Sequence, residues 1–289
     1  MFRLANFYIL FQALSFDIVV GAVICSYAIS SYFQSPISYS ALACLAIAVW
    51  LIYTLDHLLD AQKITGTPAT FRHQFHKQFK KPLAACVVLF TILGATIACY
   101  LPSVILYNGL VGILLTLVYF LLLQKKTFWQ KEICIAIGYT WGIFLAPICL
   151  HQGALSILQL ILIPKVFLIV FANLLIFSWF DILKDQQDGH KSMVIHWGMK
   201  RAERIILGII LIEILLVIRT LFGVNAPLSF GEGQGVRLME AILLLMLGLL
   251  WFIFKRHSFF RKNDAYRVIG DGIFFIPALF ILYAQQSQL

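Results

Sequence analysis

Trp50-Leu-Ile-Tyr-Thr-Leu-Asp56-His-Leu-Leu-Asp60-Ala61 closes an apolar run that starts near residue 38. A bilayer core is crossed by roughly 20 apolar helical residues, so the run predicts a membrane helix ending on two carboxylates. Their i, i+4 spacing puts both on one helix face, about 6 Å apart along the axis. Phe180-Asp181-Ile-Leu-Lys184-Asp185-Gln-Gln-Asp188-Gly189-His-Lys191 ends another apolar run in the same way, with Asp188 added at i+3. Like charges at this spacing repel. Hard divalent cations offset such repulsion, and Mg²⁺ commonly joins one or two carboxylates to a substrate phosphate. The plainer alternative is helix-end charge paired with Lys63, Lys184 and Lys191. The recurrence of one spacing at two span ends favours a metal and diphosphate site.

The rest of the chain has the same character. Of its 289 residues 61% are hydrophobic and 12% charged, and the mean hydropathy is +0.91. Soluble domains average about 45–50% apolar and about 25% charged residues. An all-α polytopic membrane protein is therefore expected, a single domain over 1–289, with about nine spans around a central cavity. The predicted spans are 6–30, 38–58, 82–101, 103–123, 133–151, 157–180, 205–223, 238–254 and 268–284. The first is too long for a signal-peptide core and lacks a clear cleavage site. The cysteines, Cys25, Cys44, Cys86, Cys99, Cys134 and Cys149, lie in or at the ends of spans without a C-x-x-C pair, which suits packing rather than metal or disulfide chemistry.

Basic residues divide sharply between the two faces. Arg3 and the connections after spans two, four, six and eight hold 19 of the 22 Lys and Arg residues, leaving Lys165, Arg219 and Arg237 for the other face. The positive-inside rule then sets the N-terminus, and both acidic stretches, on the cytoplasmic side. A basic rim meets anionic lipid head groups, so the net charge of +9 calls for the bilayer and not for nucleic acid as partner.

With both motifs placed, the sequence resembles the UbiA superfamily of intramembrane prenyltransferases. Asp56 and Asp60 match the two aspartates of that family's N-x-x-x-D-x-x-x-D motif. Asp181, Asp185, Lys191-Ser192 and Gly198 match its second motif, and Tyr119 to Gly138 with Lys125, Lys126 and Lys131 resembles its basic connection between helices four and five. Ile52 stands where the family usually has asparagine, and the family's Arg-Pro after the first motif is absent.

The resemblance implies Mg²⁺ held by Asp56, Asp60, Asp181 and Asp185, and a prenyl diphosphate whose charge Lys125, Lys126 or Lys131 helps to neutralise; Asp188 is expected as a further metal ligand, and Arg72 and Lys191 as further diphosphate contacts. It implies transfer of the prenyl group to a hydrophobic, aromatic, quinone-precursor-like acceptor within the membrane, the inner membrane in a bacterium. A secondary transporter using Asp17 or Glu213 is one alternative; it calls for broken helices near the midplane and repeat symmetry. A non-catalytic isoprenoid-binding homologue is another.

Other polar residues carry weaker signals. The stretch containing Arg72, His73 and His76 reads as a membrane-surface segment or a short helix over the site, and its H-x-x-H is a weak zinc signal for want of a second pair. Asn173, two turns below Asp181, lines the cavity or bonds a neighbouring helix. Asp17, Glu213, Glu240 and Asp271 are expected to make polar contacts between helices, Asp271 with Arg267. Gly231 to Gly235 reads as a connector, since it lacks the context of a phosphate loop.

Overall fold

A computed structural model describes residues 2–64, 66–123, 129–223 and 230–286. The helices are α1 (Phe2–Ala13), α2 (Phe16–Phe33), α3 (Tyr39–Lys63), α4 (Phe71–Gln78), α5 (Lys80–Ala98), α6 (Ser103–Leu123), α7 (Lys131–Leu150), α8 (Ile157–Asp188), α9 (Met193–Trp197), α10 (Met199–Gly223), α11 (Phe230–Lys255), α12 (His257–Phe260), α13 (Ala265–Gly272) and α14 (Ala278–Gln286). Among the described residues nine segments are long and apolar enough to cross a membrane, the ninth running from Ala265 to Gln286 across α13 and α14. The all-helical, polytopic architecture expected from hydropathy is the one observed.

Local chemistry sets the helix ends. Ser38 and Thr70 cap α3 and α4 by accepting from the Ala41 and His73 amides. Ser156 and Gln159 form a reciprocal capping box at the start of α8, satisfying amide donors that a helix start leaves unpaired. At the other end of α8 Gly189 takes φ 73°, a left-handed conformation that glycine adopts without steric cost. At 1.5 Å per residue α8 is about 48 Å long, well beyond the roughly 30 Å hydrocarbon core. Its last turns, which carry the aspartates, therefore extend past the span predicted to end at residue 180.

The first predicted span is corrected. Residues 6–30 are not one helix: Ser15 adopts φ 58°, the Leu14 and Ser15 amides close back onto Leu10 and Gln12, and α1 and α2 separate there. Serine rarely takes this conformation, so the apolar pattern runs through the break unmarked.

The core lies where α2, α7, α8, α10, α11 and the last span meet, around fully buried Ala22, Phe33, Ile143, Ile169, Leu175 and Leu250. By contrast, α5 and α6 pack outside on α3 and α7 and expose Ile92, Leu114 and Leu121, the apolar surface that lipid covers. A side chain at Gly270 would collide with the Phe177 ring. Its absence lets α13 approach α8 and brings Tyr266 and Arg267 beside Asp181.

Candidate functional site

One end of the bundle opens into a cavity of about 1520 Å³, larger than the roughly 300–1,000 Å³ of ordinary small-ligand pockets. Asp56 and Asp60 from α3 and Asp181 and Asp185 from α8 all line it. The two sequence motifs, more than 100 positions apart, thus face one space. Arg72, Lys131, Lys191 and Arg267 supply cationic lining, while Ile18, Ile135, Val170, Leu174, Phe177 and Phe274 supply apolar walls. Tyr53, not Ile52, is the α3 side chain that lines the wall above Asp56.

The two arms have different neighbours. Lys131, at the start of α7, lies 2.9 Å from Asp56 and 2.5 Å from Asp60, and Tyr119 donates to Asp56 at 3.1 Å. Expected to face a diphosphate, Lys131 also bridges the first pair. Lys63 stands farther off, 3.6 Å from Asp60. On the second arm Asp181 accepts from the Tyr266 hydroxyl and pairs with Arg267, with Lys184 at 3.5 Å. Asp185 lines the cavity, and among the described residues its carboxylate makes no hydrogen bond or ion pair. So the sequence pairing of Arg267 with Asp271 is corrected: its ion pair is with Asp181. Lys63 and Lys184 do lie near these carboxylates, as helix-end pairing requires, but only at long distance.

Asp188, grouped with the metal ligands on sequence, has another task. It accepts from the Ala69 amide at 3.0 Å and lies 3.4 Å from His73 Nδ1, which ties α4 to the end of α8. Lys77 donates to the Ile64 and Gly66 carbonyls at 2.9 and 2.7 Å, and α4 is a short helix over the mouth, one of the two alternatives for this stretch. Its Arg72 reaches His57 at 3.3 Å. Burial, then the neighbouring Arg267 guanidinium, lowers the Arg72 pKa. Burial likewise lowers His76 and His190, and holds His73 down to about 4. Lys125 and Lys126 lie outside the described residues.

Glu132 escaped the sequence reading. Buried beside Lys131, it accepts from the Ser178 hydroxyl at 2.8 Å and the Met193 amide at 3.1 Å, joining α7, α8 and the start of α9 at the cavity wall. Only its position after Lys131 hinted at this. Deeper in, Asn173 lines the cavity with a buried Oδ1 that lacks a partner. Asp271 lines it too, with a buried Oδ2 that lacks a partner. Glu240 instead pairs with Lys165 at 2.6 Å, and Lys165 also donates to Thr220 at 2.6 Å.

These features define a class: a polytopic helical bundle with two facing acidic arms, a basic rim and an apolar cavity opening at one end. No protein-family model and no curated protein matches the chain. Solved structures do. A UbiA homologue from Archaeoglobus fulgidus bound to DMAPP and Mg²⁺ is similar at TM-score 0.67 and 16% identity, covering 96% of this chain and 98% of that one. The structure of a UbiA homologue from the same organism bound to GPP and Mg²⁺ has TM-score 0.68, 16% identity and the same coverage. An apo UbiA homologue from Aeropyrum pernix K1 has TM-score 0.63 and 15% identity over 94% of this chain and 98% of that one. The chain has the fold of the UbiA homologues.

Proposed function

We propose that the chain is a UbiA-superfamily member, one domain over 1–289, that transfers a prenyl group from a prenyl diphosphate to a hydrophobic aromatic acceptor within the membrane. The observation that carries this reading is the convergence of Asp56, Asp60, Asp181 and Asp185, from two helices, on one cavity with a cationic rim and apolar walls. The solved homologues of the same fold that bind DMAPP or GPP with Mg²⁺ support it.

The donor set fits Mg²⁺, which takes carboxylate oxygens and shares them with substrate phosphates. Asp56 and Asp60 would hold it on one arm, Asp181 and Asp185 on the other, Asp185 being the carboxylate without a competing partner. Bound there, Mg²⁺ supplies charge neutralisation for a diphosphate leaving group. Arg72, Lys131, Lys191 and Arg267 hold the same phosphates by charge, and a preorganised cation gains most when charge develops in the transition state. Phe177, Tyr53 and Phe274 present aromatic surface to the allylic cation left when the C–O bond breaks. Val170 and Leu174 seat the isoprenoid tail and exclude water; a ring carbon of the acceptor bonds the prenyl carbon as diphosphate leaves, and the proton lost from that ring carbon passes to the released diphosphate. A mouth on the cytoplasmic side, facing the basic rim of the membrane, lets the charged head stay wet while the tail enters from lipid.

Purified protein given a prenyl diphosphate and an aromatic acceptor is expected to release diphosphate only with a divalent cation. Asp56→Ala and Asp181→Ala should each remove that release, and its survival in both overturns the reading. Stoichiometric binding without turnover across many acceptors would instead mark an isoprenoid-binding homologue. A transporter needs its acids on one path. Here neither Asp17 nor Glu213 is among the residues that line the cavity.

A further inference from the structure

Of the two histidines in the H-x-x-H of α4, His76 bonds the Arg72 carbonyl, while His73 meets potential ligands from other segments. Asp60 of α3, His73 of α4 and His190, just after α8, each place a ligand atom within 4.8 Å of the other two. Zinc holds nitrogen and oxygen donors at about 2.0–2.2 Å, so small side-chain rotations close this triangle around one ion. The His73 and His190 rings already lie 5.1 Å apart between centroids.

Two further details suit an ion. Asp188 lies at His73 Nδ1, the carboxylate contact that fixes a metal-binding histidine's tautomer and frees its other nitrogen. His190 Nε2 is buried without a hydrogen-bond partner, a condition that buried polar atoms seldom tolerate. Asp60 retains acceptor capacity beyond its contact with Lys131, since an ionised carboxylate offers about four lone-pair sites.

We propose that Asp60, His73 and His190 form a binding site for a transition-metal ion of the zinc class, oriented by Asp188. Imidazole donors suit such ions, whereas oxygen donors alone suit Mg²⁺. Occupation ties α3, α4 and the turn after α8 together across the mouth, so the ion holds α4 in place as the cap of the cavity. The site shares Asp60 with the proposed diphosphate site but does not depend on prenyl transfer.

The test uses the full chain in detergent, stripped with chelator and titrated with Co²⁺ in excess Mg²⁺ without prenyl diphosphate. Saturable binding of one Co²⁺ per chain is expected, with the visible absorption of nitrogen and oxygen ligation, displaced by Zn²⁺. His73→Gln and His190→Gln should each weaken it by at least about 100-fold, and Asp188→Asn by about 10-fold. His151→Gln, at the C-terminus of α7, should leave it unchanged. Helicity and monodispersity of each variant certify folding, and His190, in a turn, decides the matter if the His73 variant unfolds. Absence of saturable Co²⁺ binding, or binding unaltered in a folded His190 variant, overturns the site. Co²⁺ binding through these histidines by a protein that binds no prenyl diphosphate upholds it and defeats only the prenyl-transfer reading.

Discussion

On α3, Lys131 bridges Asp56 and Asp60, with Tyr119 on Asp56 and Lys63 near Asp60, whereas on α8 Tyr266, Arg267 and Lys184 all gather on Asp181 and leave Asp185 to the cavity. The two arms have the same spacing and lie at the same end of the bundle, yet their charge is balanced differently. On the first arm one ammonium, Lys131, bonds both carboxylates. On the second every partner falls on Asp181, which keeps the other carboxylate open. Spacing along a helix sets where carboxylates stand; the helices packed against them set what those carboxylates are free to bind.

The largest effects should come from emptying either arm. Asp185→Asn is expected to lower divalent-dependent diphosphate release about 10²–10³-fold, the scale on which preorganised charge acts in a transition state. Asp56→Asn should do the same if the arms act together. Steady-state assays with a prenyl diphosphate check both, and retained activity in the Asp185 variant would break the equivalence of the arms.

Removing the cations sharpens the contrast. Breaking a buried pair costs about 3–5 kcal/mol, less here because the Lys131 side chain is 24% exposed. Lys131→Met should therefore lower the thermal midpoint more than Arg267→Met, since Lys131 bonds two carboxylates and Arg267 only one. Added Mg²⁺ should raise the midpoint of the Lys131 variant more than that of the parent, which thermal scans in detergent would read directly.

The cap between the arms should respond to acid. The folded His73 pKa is held at about 4, below the usual 6.5, so the folded state disfavours a proton that the unfolded chain accepts. By linkage its contribution is fully present above about pH 6.5 and is lost as pH falls toward 4. A metal-free thermal midpoint that declines over this window, and less so in His73→Gln, is the expected result. Smallest of all, Ser156→Ala removes the capping box at the far end of α8 and should cost about 1 kcal/mol without changing the balance of either arm. Thermal scans again decide.

Much of this was readable from the chain because it is written locally. Apolar runs announced nine spans, and i, i+4 spacing announced both arms before any contact was known. The break at Ser15 was not readable, because neither glycine nor proline marks it and the apolar pattern continues across it. Nor were Arg267 and Tyr266 as partners of Asp181, which lies some 85 positions away. That pairing requires the close approach of α13 to α8 permitted at Gly270. Asp188 reads as a third metal ligand by spacing; its contacts with Ala69 and His73 were not readable, because those residues lie some 115 to 119 positions away. His73 looked isolated because its neighbours Asp60 and His190 belong to two other segments.

Most direct for the central claim is the Mg²⁺ dependence of geranyl diphosphate binding, measured calorimetrically on the parent, on Asp56→Asn/Asp60→Asn, on Asp181→Asn/Asp185→Asn and on all four changes together. Joint action of the arms predicts that either double variant loses the Mg²⁺-dependent binding almost completely and that the fourfold variant loses little more. Binding of equal strength with and without Mg²⁺, or loss confined to one arm, would contradict it.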